Sequence, residues 1–187
     1  MTRLTLLAAA AAVLVFPAVA CAQTADPALD AFETVCAATG GDYVAVLKAA
    51  DASGWTETQV IPETDASVSL TDQAAREKPM PGGETLTLLV NRGLRHTHSG
   101  DVPQSVCKVS DSKPDPGVIA RSAAWLGFPQ DGGDATLAVY YVKSNGAHPT
   151  HIASTALNAA MANGGFSIVK VQQDEGSAIF VYQTYSK

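Results

Sequence analysis

The sequence is short of basic residues and, beyond its N-terminus, of long apolar runs. Twelve Lys and Arg stand against 18 Asp and Glu, which gives a formal net charge of −6, and the basic residues form no run. An acidic chain of this kind is a poor candidate for binding nucleic acid or an anionic membrane surface. No later stretch approaches the ~20 consecutive apolar residues that a membrane span needs. We therefore expect no nucleic-acid partner and no transmembrane segment, and the sequence names no other partner.

Sequence signatures of catalysis are also missing. The chain contains no G-x-S-x-G motif, no P-loop and no G-x-G-x-x-G after a predicted strand. Its carboxylates are scattered over predicted turns and solvent-facing positions, and no two are placed by spacing alone for acid–base work. The sequence therefore predicts no catalytic residue and no cofactor. A non-catalytic binding or structural role is the leading interpretation.

The N-terminus has the organisation of a signal peptide. Arg3 precedes the apolar run Leu4–Val15, and Ala20 and Ala22 provide small residues at positions −3 and −1 of a cleavage site. The apolar run is too short and wrongly flanked for a membrane-spanning helix. We predict a signal peptide over residues 1–22 and a periplasmic or secreted protein.

A second processing route uses Cys21. Ala18-Val19-Ala20-Cys21 loosely matches a lipoprotein box, in which Cys21 would carry lipid and become the first residue of the mature chain. The leucine that usually stands three positions before the cysteine is missing, so simple secretion is favoured. After signal-peptide cleavage, residues 23–187 are predicted to form a single globular domain, since their length suffices for a hydrophobic core.

Cys36 and Cys107 are the cysteines that remain for pairing once Cys21 is removed or lipidated. Two cysteines in an oxidising compartment are expected to form a disulfide. For a loop of this size the bond contributes about 4 kcal/mol as an upper figure. A thiol nucleophile or a metal ligand is disfavoured, because neither cysteine belongs to a CxxC pair and Cys36 lies on an apolar stripe. The sequence therefore predicts a structural bond.

Residues 26–55 are predicted to form two consecutive helices. Asp26-Pro27 is a helix start, because the carboxylate accepts first-turn N–H groups and proline tolerates the first helical position. An apolar stripe follows at helical spacing and contains Leu29, Phe32, Val35 and Cys36. Gly40-Gly41 ends the first helix and Asp42 caps the second. Gly54-Trp55 ends the second helix, with the tryptophan packed back onto the last turn.

This region resembles the start of small uncharacterised exported proteins of alphaproteobacterial type. Their mature chains often begin with Phe, three or four residues and Cys, followed by Gly-Asp and by a helix that ends in Gly-Trp. The matching positions are Phe32, Cys36, Gly41-Asp42 and Gly54-Trp55. The resemblance covers about the first third of the chain and brings no activity or site residue with it.

The rest of the chain predicts strands interrupted by helices. Residues 56–83 have weak periodicity and three prolines, so we expect a surface connection with one short helical turn near Asp72–Glu77. Strands are predicted at Glu84–Asn91, Ser105–Ser110, Ala135–Lys143, Phe166–Gln172 and Ala178–Thr184. A helix is predicted to start at Asp115-Pro116 and to stop at Gly127. Asp131-Gly132-Gly133 is predicted to be a turn, and a helix that buries Met161 is predicted from about Pro149 to Asn163. The order α-α-β-β-α-β-α-β-β predicts a two-layer α+β domain, with a mostly antiparallel sheet and helices on one face.

Histidine is the one reactive side chain that clusters. His96 and His98 share a face of an extended segment, and His148 and His151 share a face of a predicted helix. If the two pairs met, they would suit zinc or copper. Two nearby arginines repel a cation, and no acid sits at an HExxH-type spacing. Four solvated histidine side chains are therefore the favoured interpretation, and a four-histidine metal site is the alternative.

Overall fold

The computed structural model describes residues 26–61, 65–81, 83–114, 116–145 and 148–186. The predicted signal peptide and Cys21 lie outside these residues. In chain order, the helices are α1 (Pro27–Phe32), which continues as a π-helical turn (Glu33–Ala37), α2 (Tyr43–Ala52), α3 (Val118–Leu126) and α4 (Ser154–Asn163). The strands are β1 (Thr56–Thr58), β2 (Val68–Pro79), β3 (Thr85–Thr97), β4 (Gly100–Asp111), β5 (Gly132–Gly133), β6 (Leu137–Lys143), β7 (Thr150–His151), β8 (Phe166–Asp174) and β9 (Ser177–Tyr185).

The described strands form one antiparallel sheet of nine strands. Its order is β1-β2-β3-β4-β9-β8-β6-β5, and β7 pairs with β6. The predicted α+β class is confirmed. Removing β1, β2, β5 and β7 from the observed order leaves the predicted order, so the sequence analysis missed four strands at or near the sheet edges.

The core lies between one face of the sheet and the first three helices. Alternate residues of β3, β4, β6, β8 and β9 are buried against α1, α2 and α3. Phe32 of α1 lies at the centre of this layer, where its ring contacts the rings of Trp125, Phe180 and Tyr182. The first three helices therefore pack on one face of the sheet, as predicted.

The N-terminal helices are fixed by the predicted caps. The Asp26 carboxylate accepts hydrogen bonds from the backbone N–H groups of Ala28 and Leu29, both at 3.1 Å. At the end of α2, Gly54 has a positive φ and the Trp55 N–H donates to the Ala50 carbonyl at 3.1 Å. This bond closes a Schellman motif. Trp55 is buried in the core, which confirms the predicted packing of this side chain.

The predicted disulfide is present. Cys36 in the π-helical turn is bonded to Cys107 of β4, with the two Cα atoms 5.5 Å apart. Both cysteines are fully buried in the core. The bond ties the N-terminal helix to the middle of the sheet.

The prediction for residues 56–83 is wrong in its main part. In place of a surface connection with a helical turn, the chain forms β1 and the twelve-residue strand β2. Ala75 is the one buried residue among those described in β2. A strand near the edge of the sheet that is largely exposed on both faces lacks the alternation by which a half-buried strand is recognised.

Further boundaries differ from the prediction, most clearly those of β3 and α4. Strand β3 does not end at Asn91 but continues to Thr97, because Arg92 and the residues after it pair with β2 and β4. Helix α4 begins at Ser154 rather than Pro149, and it contains no buried residue. Met161, predicted to be buried, is 54% exposed.

Two short strands lie at residues for which other elements are predicted. Gly132-Gly133, predicted as a turn, pairs with β6 as β5, and Thr150-His151, predicted as helix, pairs with β6 as β7. Among the described residues, no helix combines the length and apolar character that crossing a bilayer requires.

Candidate functional site

A cleft of about 420 Å³ lies where the turn between the first two helices faces the ends of β3, β4 and β9. One wall is the Gly40–Tyr43 segment, and the opposite wall contains Arg92 and Leu94 of β3 and Pro103 of β4. We call this cavity the cleft. Its volume falls within the range of about 300–1,000 Å³ that is typical of small-molecule sites.

The glycine turn is held against the sheet by two strand hydroxyls. Thr184 donates to the Gly40 carbonyl at 2.7 Å, and Ser105 donates to the Gly41 carbonyl at 2.6 Å. Gly41 has a φ of +70°, and a Cβ at this position would lie 3.0 Å from the ring of Tyr182. Both the left-handed backbone and the close approach require glycine. The wall of the cleft is therefore formed before any ligand binds.

Arg92 supplies the positive charge of the cleft. Its Nε donates to the Asp72 carboxylate at 2.6 Å, and its guanidinium lies over the Tyr43 ring, 5.0 Å from the centroid. The hydrogen bond and charge of Asp72 raise the pKa of Arg92 above its ordinary value. The contact with Asp72 is made by Nε rather than by a terminal nitrogen of the guanidinium.

A second polar cluster lies behind the cleft, on the sheet face without α1–α3. Gln104 accepts hydrogen bonds at 3.0 Å from Arg95 and at 2.9 Å from Gln183. The adjoining cavity measures about 170 Å³, below the usual range for organic ligands. The network holds β3, β4 and β9 in register and offers little room for a ligand.

His96 is the centre of a hydrogen-bonded group on three strands. Its Nδ1 lies 2.7 Å from Oδ1 of Asp101 on β4, and its Nε2 lies 2.8 Å from the hydroxyl oxygen of Ser69 on β2. His96 pairs with Asp101 across the β3–β4 hairpin. His98, in the turn of that hairpin, is exposed.

The other histidine pair lies among aromatic rings. His151 Nε2 lies 2.9 Å from the Asp131 carboxylate, and its ring stacks on Phe128 at 4.7 Å. His148 meets the Trp125 ring edge-on at 5.6 Å. His148 and His151 therefore each pack against an aromatic ring, and His151 also contacts a carboxylate.

The two histidine pairs are far apart along the sheet. His96 on β3 and His151 on β7 are separated by β4, β9, β8 and β6, and five inter-strand spacings correspond to about 24 Å. Within the described ranges, no three His, Cys, Asp or Glu side chains are grouped to hold a metal ion. The convergence on which the four-histidine site depends is not seen, and binding of an ion by either pair alone stays untested.

Neither the cleft nor the partners of His96 were predicted from the sequence. The cleft depends on hydroxyls of β4 and β9 that are far in sequence from the glycine turn. A signal for the His96–Asp101 contact does exist, because a short turn at His98-Ser99 places these residues opposite each other. Comparison with known proteins finds no matching family model, no similar curated protein and no similar solved structure.

Proposed function

We propose that the protein is an exported, disulfide-braced binding protein whose small ligand occupies the cleft. One observation carries this proposal: the cleft wall is fixed by hydrogen bonds from Ser105 and Thr184 to two consecutive glycine carbonyls. A wall that is ordered in advance lowers the entropy that a ligand must offset on binding.

The groups in the cleft favour a neutral, hydroxyl-rich ligand. Arg92 is accompanied by the carboxylates of Asp42 and Asp72, so the cleft has no excess of positive charge with which to bind an anion. Thr71 and Ser186 add hydroxyls to the lining. Guanidinium, carboxylate and hydroxyl groups together match the donors and acceptors of a sugar. The volume of about 420 Å³ suits a monosaccharide or disaccharide.

Export is supported by three observations of different kinds. A buried disulfide is typical of proteins from oxidising compartments. The sequence of residues 1–22 has the organisation of a signal peptide. The sequence positions Phe32, Cys36, Gly41-Asp42 and Gly54-Trp55 resemble the start of small exported proteins. Attachment through a lipidated Cys21 is the alternative, and mass spectrometry of the mature protein separates the two: an unlipidated chain that starts at Gln23 supports simple secretion.

The binding proposal is tested by calorimetric titration of the mature protein with a panel of neutral monosaccharides and disaccharides. We expect at least one sugar to bind, and Arg92→Ala to weaken it at least about tenfold, the loss of a charge-assisted hydrogen bond. Arg76→Ala is the matched control, because Arg76 also binds a carboxylate, that of Asp51, through Nε but lies outside the cleft. Binding of no sugar, or equal binding by both variants, would contradict the proposal.

A further inference from the structure

We propose that Ser69, His96 and Asp101 form a hydrolytic triad that cleaves carboxylic esters at the rim of the cleft. The carboxylate of Asp101 lies 2.7 Å from His96 Nδ1, and the hydroxyl of Ser69 lies 2.8 Å from His96 Nε2. Both distances are those of good hydrogen bonds. A nucleophile, a base and a group that orients the base are thus connected in the order that acyl transfer requires.

One histidine tautomer satisfies both contacts. With the proton on Nδ1, His96 donates to Asp101, and its unprotonated Nε2 accepts the hydroxyl proton of Ser69. In this state Nε2 is the base that activates the serine, and the carboxylate stabilises the imidazolium that forms. Both hydrogen bonds are made by the imidazole ring of His96 and restrict its orientation. His96 is therefore a catalytic base that Asp101 orients on one side and Ser69 contacts on the other.

Strand register places the three side chains on one face. Ser69 pairs with Leu94 of β3, two residues before His96, and His96 pairs with Asp101. Side chains two residues apart on a strand point the same way. A bulge follows directly, since the β2–β3 register shifts between Leu70 and Asp72. Bulges of this kind re-aim side chains and are frequent beside active sites.

Gly93 of β3 leaves space for the β2 backbone next to this bulge. A Cβ at position 93 would lie 2.1 Å from the Ser69 carbonyl oxygen and 2.9 Å from the Leu70 Cα. Any side chain there would push β2 away from β3 and remove Ser69 from His96. The glycine is therefore a requirement of the triad geometry.

A backbone donor for the oxyanion is available beside Ser69. The His96 N–H donates to the Ser67 carbonyl at 2.8 Å, and the alternation of an antiparallel ladder then turns the Leu70 N–H away from β3. In the described part of the chain, β1 covers β2 only at Ala75–Glu77. The N–H of the residue after the nucleophile thus faces the side of β2 that β1 leaves uncovered at this level. In this proposal it is the donor that we assign to the oxyanion.

The substrate has space next to the triad. Leu94 and Pro103 pair with each other across β3 and β4, and both line the cleft. Pro103 and Asp101 also line a neighbouring cavity of about 360 Å³. An acyl ester placed over Ser69 would have one cavity for its acyl group and one for its alcohol. The inference goes beyond binding in the cleft and does not depend on a sugar being the ligand.

The reaction uses water and needs no further reactant. The Ser69 oxygen bonds to the ester carbon while His96 Nε2 takes the hydroxyl proton, which gives a tetrahedral oxyanion. The bond from carbon to the alcohol oxygen then breaks, and His96 returns the proton to the departing alcohol. Water, deprotonated by His96, attacks the acyl-serine. The carboxylic acid leaves and the proton returns to Ser69.

The side chains of His96 and Asp101 are 44% and 55% exposed. Water therefore competes for both hydrogen bonds, and we expect slow turnover. This activity would revise the expectation of a non-catalytic role, which depended on the lack of a contiguous motif. A triad drawn from three strands leaves no such motif.

The experiment is labelling of the mature, disulfide-bonded protein with a fluorophosphonate probe, followed by peptide mass spectrometry. The serine oxygen displaces fluoride from phosphorus, and the adduct identifies the residue. We expect the label on Ser69 and its loss in Ser69→Ala. His96→Gln should slow labelling at least about 100-fold, the lower end of what a general base contributes.

His151→Gln is the matched control, because His151 also contacts a carboxylate, that of Asp131, but is remote from Ser69. We expect this variant to label at the wild-type rate, and Asp101→Asn to label more slowly than wild type. Failure of wild type to label at Ser69, or equal labelling of His96→Gln and His151→Gln, would overturn the inference. All four residues are on the surface, and matching melting temperatures confirm that the variants fold. Sugar binding by an unlabelled protein would leave the cleft proposal intact.

Discussion

Cys36 and Cys107 are joined through the core, so the turn after α1 is covalently attached to the strand that also supports the cleft. Cys107 pairs with Val90 on one side and with Tyr182 on the other, and Tyr182 packs against Phe32 and Gly41. The bond therefore stabilises both the helix layer and the glycine turn. Its removal should affect global stability and the cleft together.

Replacing both cysteines by alanine should lower the free energy of unfolding by about 4 kcal/mol, because the unfolded chain regains the entropy of a long loop. The expected loss of free energy depends on the length of the loop that the disulfide closes, and the two cysteines are 71 residues apart in sequence. Urea denaturation with and without a reductant measures the effect. Wild type should lose stability with the reductant and the double variant should not, whereas an unchanged wild type would contradict the structural role.

Arg121→Ala should destabilise the protein by about 3 kcal/mol, since it leaves a buried carboxylate without its cation. Asp26 has only 3% of its side chain exposed and is held by Arg121 at 2.6 Å. Arg92→Ala is the control, because the Arg92–Asp72 pair is more exposed and should contribute much less to stability. Equal losses in urea unfolding would mean that burial does not distinguish the two pairs.

Gly41→Ala should be more destabilising than Gly54→Ala. Both residues have positive φ, which costs an alanine about 1–2 kcal/mol, but only the Cβ at position 41 would meet the ring of Tyr182, at 3.0 Å. Among the residues that the structure describes, none beyond the chain neighbours of Gly54 lies within 4 Å of a Cβ placed there. The melting temperature of Gly54→Ala reports the backbone strain alone, and that of Gly41→Ala reports the strain together with the contact to Tyr182. Equal melting temperatures would contradict the tight packing of the glycine turn against the sheet.

Glu33→Gln should stabilise the protein at pH 7 but not at pH 3.5. Partial burial, and then the charge of Asp30, raise the pKa of Glu33 above its ordinary value of 4.5. A raised pKa favours the protonated form in the folded state, so the stability it provides is full below pH 4.5 and is lost as pH rises through the folded pKa. Glu175→Gln, in the exposed β8–β9 turn, is the control. A Glu33→Gln effect independent of pH would refute this cause.

Helix α4 should exchange its amide hydrogens faster than α1, α2 and α3. None of its residues is buried, and a short helix without a packed face is marginally stable in water. Hydrogen–deuterium exchange by mass spectrometry compares the four helices in one experiment. Protection of Ser154–Asn163 equal to that of α1 would show that another surface covers this helix.

The parts of the fold that sequence reasoning predicted depend on local chemistry. A capping carboxylate at Asp26 and a Gly54-Trp55 stop act within one helical turn, so their residues alone indicate them. The disulfide followed from the number of cysteines and the expected compartment. Strand β2 was missed because its polar residues become a strand only through pairing with β3.

The candidate sites were beyond prediction for a related reason. Ser69 and His96 are 27 residues apart, and Ser69 reaches His96 through a strand that was not expected and a bulge that shifts its register. The glycine turn is recognisable as a helix end, but its anchors, Ser105 and Thr184, come from strands distant in sequence. Only the His96–Asp101 contact follows from a short hairpin turn.

The most direct test of the account is an NMR titration of isotope-labelled mature protein with the sugar that binds most tightly. If the cleft is the binding site, the backbone shifts should move at Gly40–Tyr43, Arg92–Leu94 and Ser105, while those of the 170 Å³ cavity around Gln183 stay in place. Shifts that move around Gln183 or Lys170, on the opposite face of the sheet, with Gly40–Tyr43 unchanged, would contradict the account.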